Sequence, residues 1–418
     1  MSSVPPPHAD DALPAPRNVL KPFASLMFPA YRLLWLTQVG AASALWTEQV
    51  ARNWLTYQLT GSALQLGLVN LIQAVPIGVL VLWGGVLTDR FDKRRLLQII
   101  QAWNLTIYAV MAAVVMSGNL QLWHLYASSF AVAIGTSMDG PLRTSTIPSL
   151  VPQQRLINAL SLNGIAINGT RLLLPAGVGV LLAIANPGWA YLALVGVFVV
   201  NIALSTRLDL PPVQQRDAGR SMAGQLGDGL RFAATNRDVQ SVLIIAIGVQ
   251  GIGFASRALI PVLAAERLGA GSGGYGFLLS ADGAGAVLFG LVMATVGLGK
   301  RKGLVMAAFA AINAVGIVII GWTSVIFAAA LLSMTIGGTS TIFRSSSNSL
   351  LLSHAPVSMR GRVMSINGLN PGISPIVIAI TGAIAHATNV SIALTVVGGT
   401  SLALIALAVL LHRRTLTL

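Results

Sequence analysis

"GGVLTDRFDKRRLL", Gly84 to Leu97, sets six charged residues into the seven positions from Asp89 to Arg95, directly after an apolar stretch with almost no charge. The fold has to account for so concentrated a polar turn inside so apolar a sequence. Of the 418 residues, 55% are hydrophobic and 9% charged, and the mean hydropathy is +0.76. No soluble core needs that much apolar sequence. A hydrocarbon layer about 30 Å thick is crossed by roughly 20 residues of helix, and stretches of that length recur between short polar turns. The hairpin therefore reads as one turn of a polytopic membrane protein.

Outward from it, the sequence predicts twelve spans: 31–57, 64–88, 96–117, 120–140, 156–185 and 188–206, then 240–264, 275–298, 303–321, 324–352, 363–385 and 390–411. Many contain glycine or proline, which membrane helices tolerate and which let neighbours approach closely. The opening "MSSVPPPHADDALPAPRN" has no cationic start followed by an apolar core, so it is no signal peptide but a disordered tail, residues 1–30. With no cysteine, disulfides and thiolate metal sites are excluded.

The net charge of +14 would suit a nucleic-acid binder, but the placement of the bases gives another reason for it. Of 26 Lys and Arg, 20 fall in the N-terminal tail, the even-numbered loops, the connector and the C-terminus; the odd-numbered loops hold only Arg267. By the positive-inside rule both termini are cytoplasmic, and no nucleic-acid partner is expected.

"LRTSTIPSLVPQQRLINALSLNGIAINGT" from Leu142 resembles "FRSSSNSLLLSHAPVSMRGRVMSINGLNPG" from Phe343, with Arg143 matching Arg344 and Ser161–Gly164 matching Ser365–Gly368. Six predicted spans separate the copies, and an even number preserves orientation. An all-α membrane fold follows, two six-helix bundles (31–207 and 240–412) related by a parallel repeat. Between them, 208–239 is a polar cytoplasmic connector in which Met222, Leu226, Leu230 and Ala233 recur at helical spacing, as in an amphipathic surface helix. Residues 413–418 form a cytoplasmic C-terminus.

The loop between spans two and three, Gly85-x-x-x-Asp89-Arg90-Phe91-x-Lys93-Arg94-Arg95, resembles the signature loop of the major facilitator superfamily of secondary transporters. "LWLTQVGAASALWTEQVARNWLTYQLTGSALQLGLV", "IPSLVPQQRLINALSLNG" and "RGRVMSI" are similar to the branch that includes enterobactin exporters and macrolide efflux pumps. The resemblance implies the twelve-helix fold, alternating access, and a conformational latch of Gly85, Asp89, Arg90 and Arg94 helped by an acid in span four, here Asp139. Asp92 stands where the superfamily pattern usually has glycine. Lys93, Arg94 and Arg95 also read as simple topogenic charge. "GTRLLLPAGVG" looks like a worn antiporter motif in span five, with Pro175, Gly177 and Gly179 as a hinge and Leu174 in place of its usual glycine. "GLGKRKG" in the second half lacks both the acid and the spacing of a phosphate loop.

Ionisable residues inside spans are functional hypotheses by default. Glu48, Asp139, Arg171, Arg257, Asp282 and Arg344 qualify, with Arg52 one helical turn from Glu48. Asp282, in "SADGAG", has no cation nearby in the sequence and is the first candidate for a proton-coupling acid; Glu48, which an ion pair with Arg52 or Arg257 would disable, is the second. Arg171, nearest the midplane, and Arg257 are candidate substrate ligands. Arg344 and Asp139, near inner helix ends, are expected to gate or to support structure. Trp35, Trp46, Trp54, Trp83 and Trp123 are assigned to the interfacial belt.

The five histidines are scattered and no nucleophile motif is present, so neither an enzyme, a metal site nor a cofactor is expected. The expected protein is a monomeric inner-membrane secondary transporter in bacterial lipid, exchanging protons for a small amphipathic molecule such as a drug or siderophore. A facilitator, an importer or a lysophospholipid flippase on the same fold is the alternative.

Overall fold

The computed structural model describes residues 21–90, 92–210, 231–296, 301–356, 359–368 and 370–411, and within α2 the side chains of 78, 79 and 81–90 lie outside the description. The tail, the amphipathic part of the connector around Met222, Leu226 and Leu230, and the C-terminus therefore fall outside it. A 3-10 turn, Lys21–Met27, leads into α1 (Pro29–Thr60), α2 (Ala63–Arg90), α3 (Lys93–Met116), α4 (Leu122–Thr146), α5 (Leu156–Ile184) and α6 (Gly188–Ser205). After the connector come α7 (Arg237–Arg267), α8 (Gly271–Val296), α9 (Lys302–Trp322), α10 (Ile326–His354), α11 in two parts (Arg360–Asn367 and Asn370–Ala387) and α12 (Val390–Leu411). Among the described residues there is no strand, and eight helices are long and apolar enough to cross a membrane.

The charged hairpin is mostly helix. α2 runs on through Arg90 and α3 begins at Lys93, so its charges sit on two helix ends. Asp92 is the N-cap of α3, its carboxylate accepting the Arg95 backbone N–H at 2.8 Å; this satisfies a donor that the first turn of a helix leaves orphaned. At the other end of α1, Gly61 takes the left-handed conformation (φ 58°) and returns its N–H to the Tyr57 carbonyl, a terminus that glycine adopts without steric cost.

The helices pack as two sets that repeat one pattern. α2 lies on α4 and α3 on α6 in the first set; six helices later α8 lies on α10 and α9 on α12. The sets join through α5 with α8, α2 with α11, and α1 and α2 with α7. Small residues make these joints close: a Cβ on Gly67 would lie 2.8 Å from the Ala379 Cα, and one on Gly179 2.8 Å from the Gly276 Cα.

The contacts Tyr57–Glu266, Arg171–Asp282, Ala176–Ser280, Trp54–Tyr275 and the glycine approaches at Gly67, Gly179 and Gly283 join the two sets between mid-helix and the end where α1 stops and α2 starts. That far end is closed. Toward the near end, where α1 begins and α12 finishes, the side chains of the last turns of α2 lie outside the description.

α7 is the irregular element. It winds as a π-helix over Ile247–Ile252, as 3-10 over Gly253–Leu259, and as π again over Leu263–Arg267. Irregular winding frees carbonyls that lipid cannot satisfy, so protein groups must. The Ser374 hydroxyl donates to the Gln250 and Gly251 carbonyls at 3.0 and 2.8 Å, and the Ser401 hydroxyl to the Gly248 carbonyl at 2.8 Å.

Candidate functional site

The centre of the molecule holds an ion cluster assembled from three helices. Asp282 of α8 accepts from Arg257 of α7, Oδ1 from Nη2 at 2.8 Å and Oδ2 from Nε at 3.4 Å, and its Oδ2 also pairs with Nη2 of Arg171 on α5. All three residues are buried, at 5, 8 and 8% exposure for Asp282, Arg171 and Arg257. The Trp46 ring lies 5.6 Å from the Arg171 Cζ and the Phe254 ring 4.6 Å from that of Arg257, so the guanidiniums are held by π faces as well as by charge. Small residues let the backbones close around the cluster: Gly283 abuts the Arg171 carbonyl and Gly337 of α10 the Asp282 carbonyl.

Asp282 has no cation nearby in the sequence, and the fold brings it two from other helices. Its partners stand 25 and 111 positions away along the chain, beyond any local pattern. The Arg171 contact also crosses from the first helix set to the second. Trp46, assigned to the interfacial belt, is part of the cluster instead.

Glu48 does not join it. Its Oε1 pairs with Arg52 Nε at 3.0 Å, both side chains buried inside the first set. Arg52 also reaches the Ser129 hydroxyl and the Asn70 carbonyl oxygen, each at 3.4 Å, and the Asn70 amide donates to Asn53 at 3.2 Å. Of the two ion pairs expected to disable Glu48, the one with Arg52 is formed, inside a buried network of α1, α2 and α4. One internal cavity, lined among others by Gln73, Asn104, Tyr108 and Thr136, connects Glu48 with Asp139.

Asp139 binds Arg143 Nε at 2.8 Å, and Arg143 Nη1 donates to the Thr37 hydroxyl at 2.8 Å. Its expected latch partners Gly85, Asp89 and Arg90 belong to α2, with side chains outside the described residues. Arg94 donates to the Thr206 carbonyl at the C-cap of α6, and Lys93 Nζ to the Ser145 carbonyl near the end of α4 at 3.2 Å. A cation at a helix C-terminus meets orphan carbonyls and the negative end of the dipole. Two of the hairpin's bases therefore tie α3 to its own helix set.

The span-five motif divides. Pro175 and Gly179 form the contact of α5 with Gly276 of α8, and the Ala176 N–H donates to the Ser280 hydroxyl at 2.8 Å, while a Cβ on Gly177 would meet nothing. At the far end the Tyr57 hydroxyl donates to Glu266 Oε1 at 2.8 Å, and Trp54 stacks on Tyr275 with ring centroids 6.4 Å apart. These two bridges between the sets were missed from sequence. Only the aromatic cluster around Trp54 and Tyr57 at a span end could have signalled them.

Solved transporters share the fold: a bacterial homolog of the human lysosomal transporter Spinster, in an inward-facing, unoccupied conformation (TM-score 0.69, 13% identity, 95% of this chain and 98% of that one), and the nucleoside transporter NupG (TM-score 0.71, 12% identity, 92 and 99%). Among sequence relatives, the staphyloferrin A transporter of Staphylococcus aureus (strain NCTC 8325 / PS 47) is 25% identical over 60% of this chain and 63% of its own length, so the match spans less than two thirds of that protein. The enterobactin exporter EntS of Escherichia coli O1:K1 / APEC is 24% identical over 82 and 80%. The model of the transmembrane secretion effector family matches residues 20–417. With that match across nearly the whole chain and the repeated helix packing, the protein belongs to the transmembrane secretion effector family of the major facilitator superfamily.

Proposed function

We propose that this chain is a proton-coupled exporter of a small amphipathic molecule, working as a monomer by alternating access across the bacterial inner membrane. The observation that carries this reading is the Arg171–Asp282 pair, a buried charge contact that joins the two helix sets at mid-depth while the far end is closed. Opening the far end must separate α5 from α8, and so must part this pair. A proton on Asp282 removes its charge and with it the attraction that holds the sets together. Proton entry and far-end opening thereby become one event, and substrate held near Arg171 and Arg257 leaves as the proton arrives. Glu48, enclosed with Arg52, is the second coupling candidate.

The charge asymmetry of the loops supports cytoplasmic termini, which makes the near end the inner one. In the opposite, near-closed state Gly85, Asp89, Arg90 and Asp139 act as the latch between sets. The names of the sequence relatives support a siderophore-sized cargo.

Internal pH in proteoliposomes, with antibiotics, dyes and siderophores added in turn to one side, tests the reading. Substrate-dependent proton movement in the opposite sense is expected, and its loss in Asp282→Asn. Substrate movement without a proton signal would leave a facilitator; Asp89→Asn is expected to slow turnover and spare binding.

A further inference from the structure

The two copies of the internal repeat differ at one position that changes what an arginine can do. In the first copy Arg143 is neutralised by Asp139 one turn earlier on α4. Its counterpart Arg344 on α10 has Ser340 at that place. Among the described residues no carboxylate, hydroxyl or carbonyl binds the Arg344 guanidinium, and it is an exposed side chain.

Helix geometry says where that exposed group points. Gly337, which abuts the Asp282 carbonyl, lies two turns before Arg344, and residues seven apart share a helix face. Ser340 and Asn348, one turn either side, are half-exposed on the same face. The lipid-facing positions Phe327 and Leu331 are more than a quarter-turn away at about 100° per residue. Arg344 therefore faces the interior, about 10 Å from the level of Asp282 toward the near end. It lies within electrostatic range of Arg171, Arg257 and Asp282.

Three guanidiniums and one carboxylate leave this region with two positive charges uncompensated. Two of the three, Arg171 and Arg257, are buried, and the exposed Arg344 adds to the positive field that attracts an anion to this region; guanidinium is suited to carboxylate or phosphate-like oxygens through paired N–H donors. We propose that Arg344, flanked by Ser340 and Asn348, is the recognition site for an anionic group of the cargo, a carboxylate or similar oxyanion, which enters from the near end and completes the charge balance of the Arg171–Asp282–Arg257 cluster. This rests on the transporter reading for its biological use, but the binding itself does not require transport.

Equilibrium binding to the purified full chain in detergent, followed by thermal stabilisation, separates the two. Citrate serves as the probe, its trimethyl ester as the neutral counterpart and ethidium as the cation. Citrate is expected to stabilise the protein, less so as salt rises, and the ester to be inert. In Arg344→Gln citrate affinity should fall at least tenfold, in Arg344→Lys by less, and in Arg237→Gln, an exposed arginine at the start of α7, not at all. Equal binding of ester and citrate, undiminished citrate binding in Arg344→Gln, or binding of ethidium alone would overturn the site. Cation-for-proton exchange in proteoliposomes would likewise sink the anion site while leaving the transporter standing; citrate binding that depends on Arg344 without any transport would do the reverse.

Discussion

Asp282 shows how the meaning of a buried carboxylate is set by what reaches it. With Arg171 and Arg257 both on its oxygens, changing it to asparagine leaves two guanidiniums facing each other with no counter-ion. Breaking a buried pair from one side costs about 3–5 kcal/mol in soluble proteins. Asp282→Asn is thus expected to lower the unfolding midpoint in detergent markedly, and Arg171→Gln to lower it less, since Arg257 then still balances the acid. The double variant Arg171→Gln with Asp282→Asn should be more stable than the sum of the singles; strict additivity in that thermodynamic cycle would mean the contact carries no coupling. The Glu48–Arg52 pair was legible in the sequence because helical spacing alone brings i and i+4 together. The environment of Asp282 was not, because its partners come from two other helices, and neither residue pattern nor spacing encodes which faces meet.

At the scale of the element, the apolar stretches announced the helices, but not their ends or their winding. The hairpin looked like a loop because it is charged; it is helix because Asp92 caps α3 and Lys93 and Arg94 cover the ends of α4 and α6. Replacing Asp92 by alanine removes the cap and is expected to cost about 0.5–2 kcal/mol, visible as faster amide exchange in the first turn of α3 and not elsewhere. The π and 3-10 winding of α7 was equally hidden, since glycines in "IGVQGIGF" permit it without demanding it. What stabilises that winding is the pair of serine hydroxyls from neighbouring helices. Ser374→Ala and Ser401→Ala should each destabilise by about 1 kcal/mol, the scale of hydrogen bonds in membrane proteins, with larger local exchange in α7. If both changes are silent, water or other groups satisfy those carbonyls and the account of α7 fails.

For the whole molecule, the parallel repeat could be read from Arg143 and Arg344 because both copies keep the same residues, whereas the state of the gate could not, since it depends on contacts made only between sets. Those contacts are of two strengths. The Tyr57–Glu266 bond lies at an exposed rim, so Tyr57→Phe should shift the balance between far-closed and far-open forms by no more than about 1 kcal/mol. The joint of Gly179 with Gly276 is backbone against backbone, and a leucine at either place has no room at all. The chain has no cysteine, so pairs of spin labels can be placed without background: Leu59→Cys with Val325→Cys at the far end, Ile157→Cys with Leu352→Cys at the near end, all four being exposed. The unaltered background should give a short, narrow distance at the far end and a longer one at the near end. Adding Gly276→Leu is expected to reverse that order, because wedging α5 from α8 opens the far end and the rocking of two rigid sets closes the other. A far end that lengthens while the near-end distance stays fixed would show that the sets do not move as units, and alternating access would then need a different pivot.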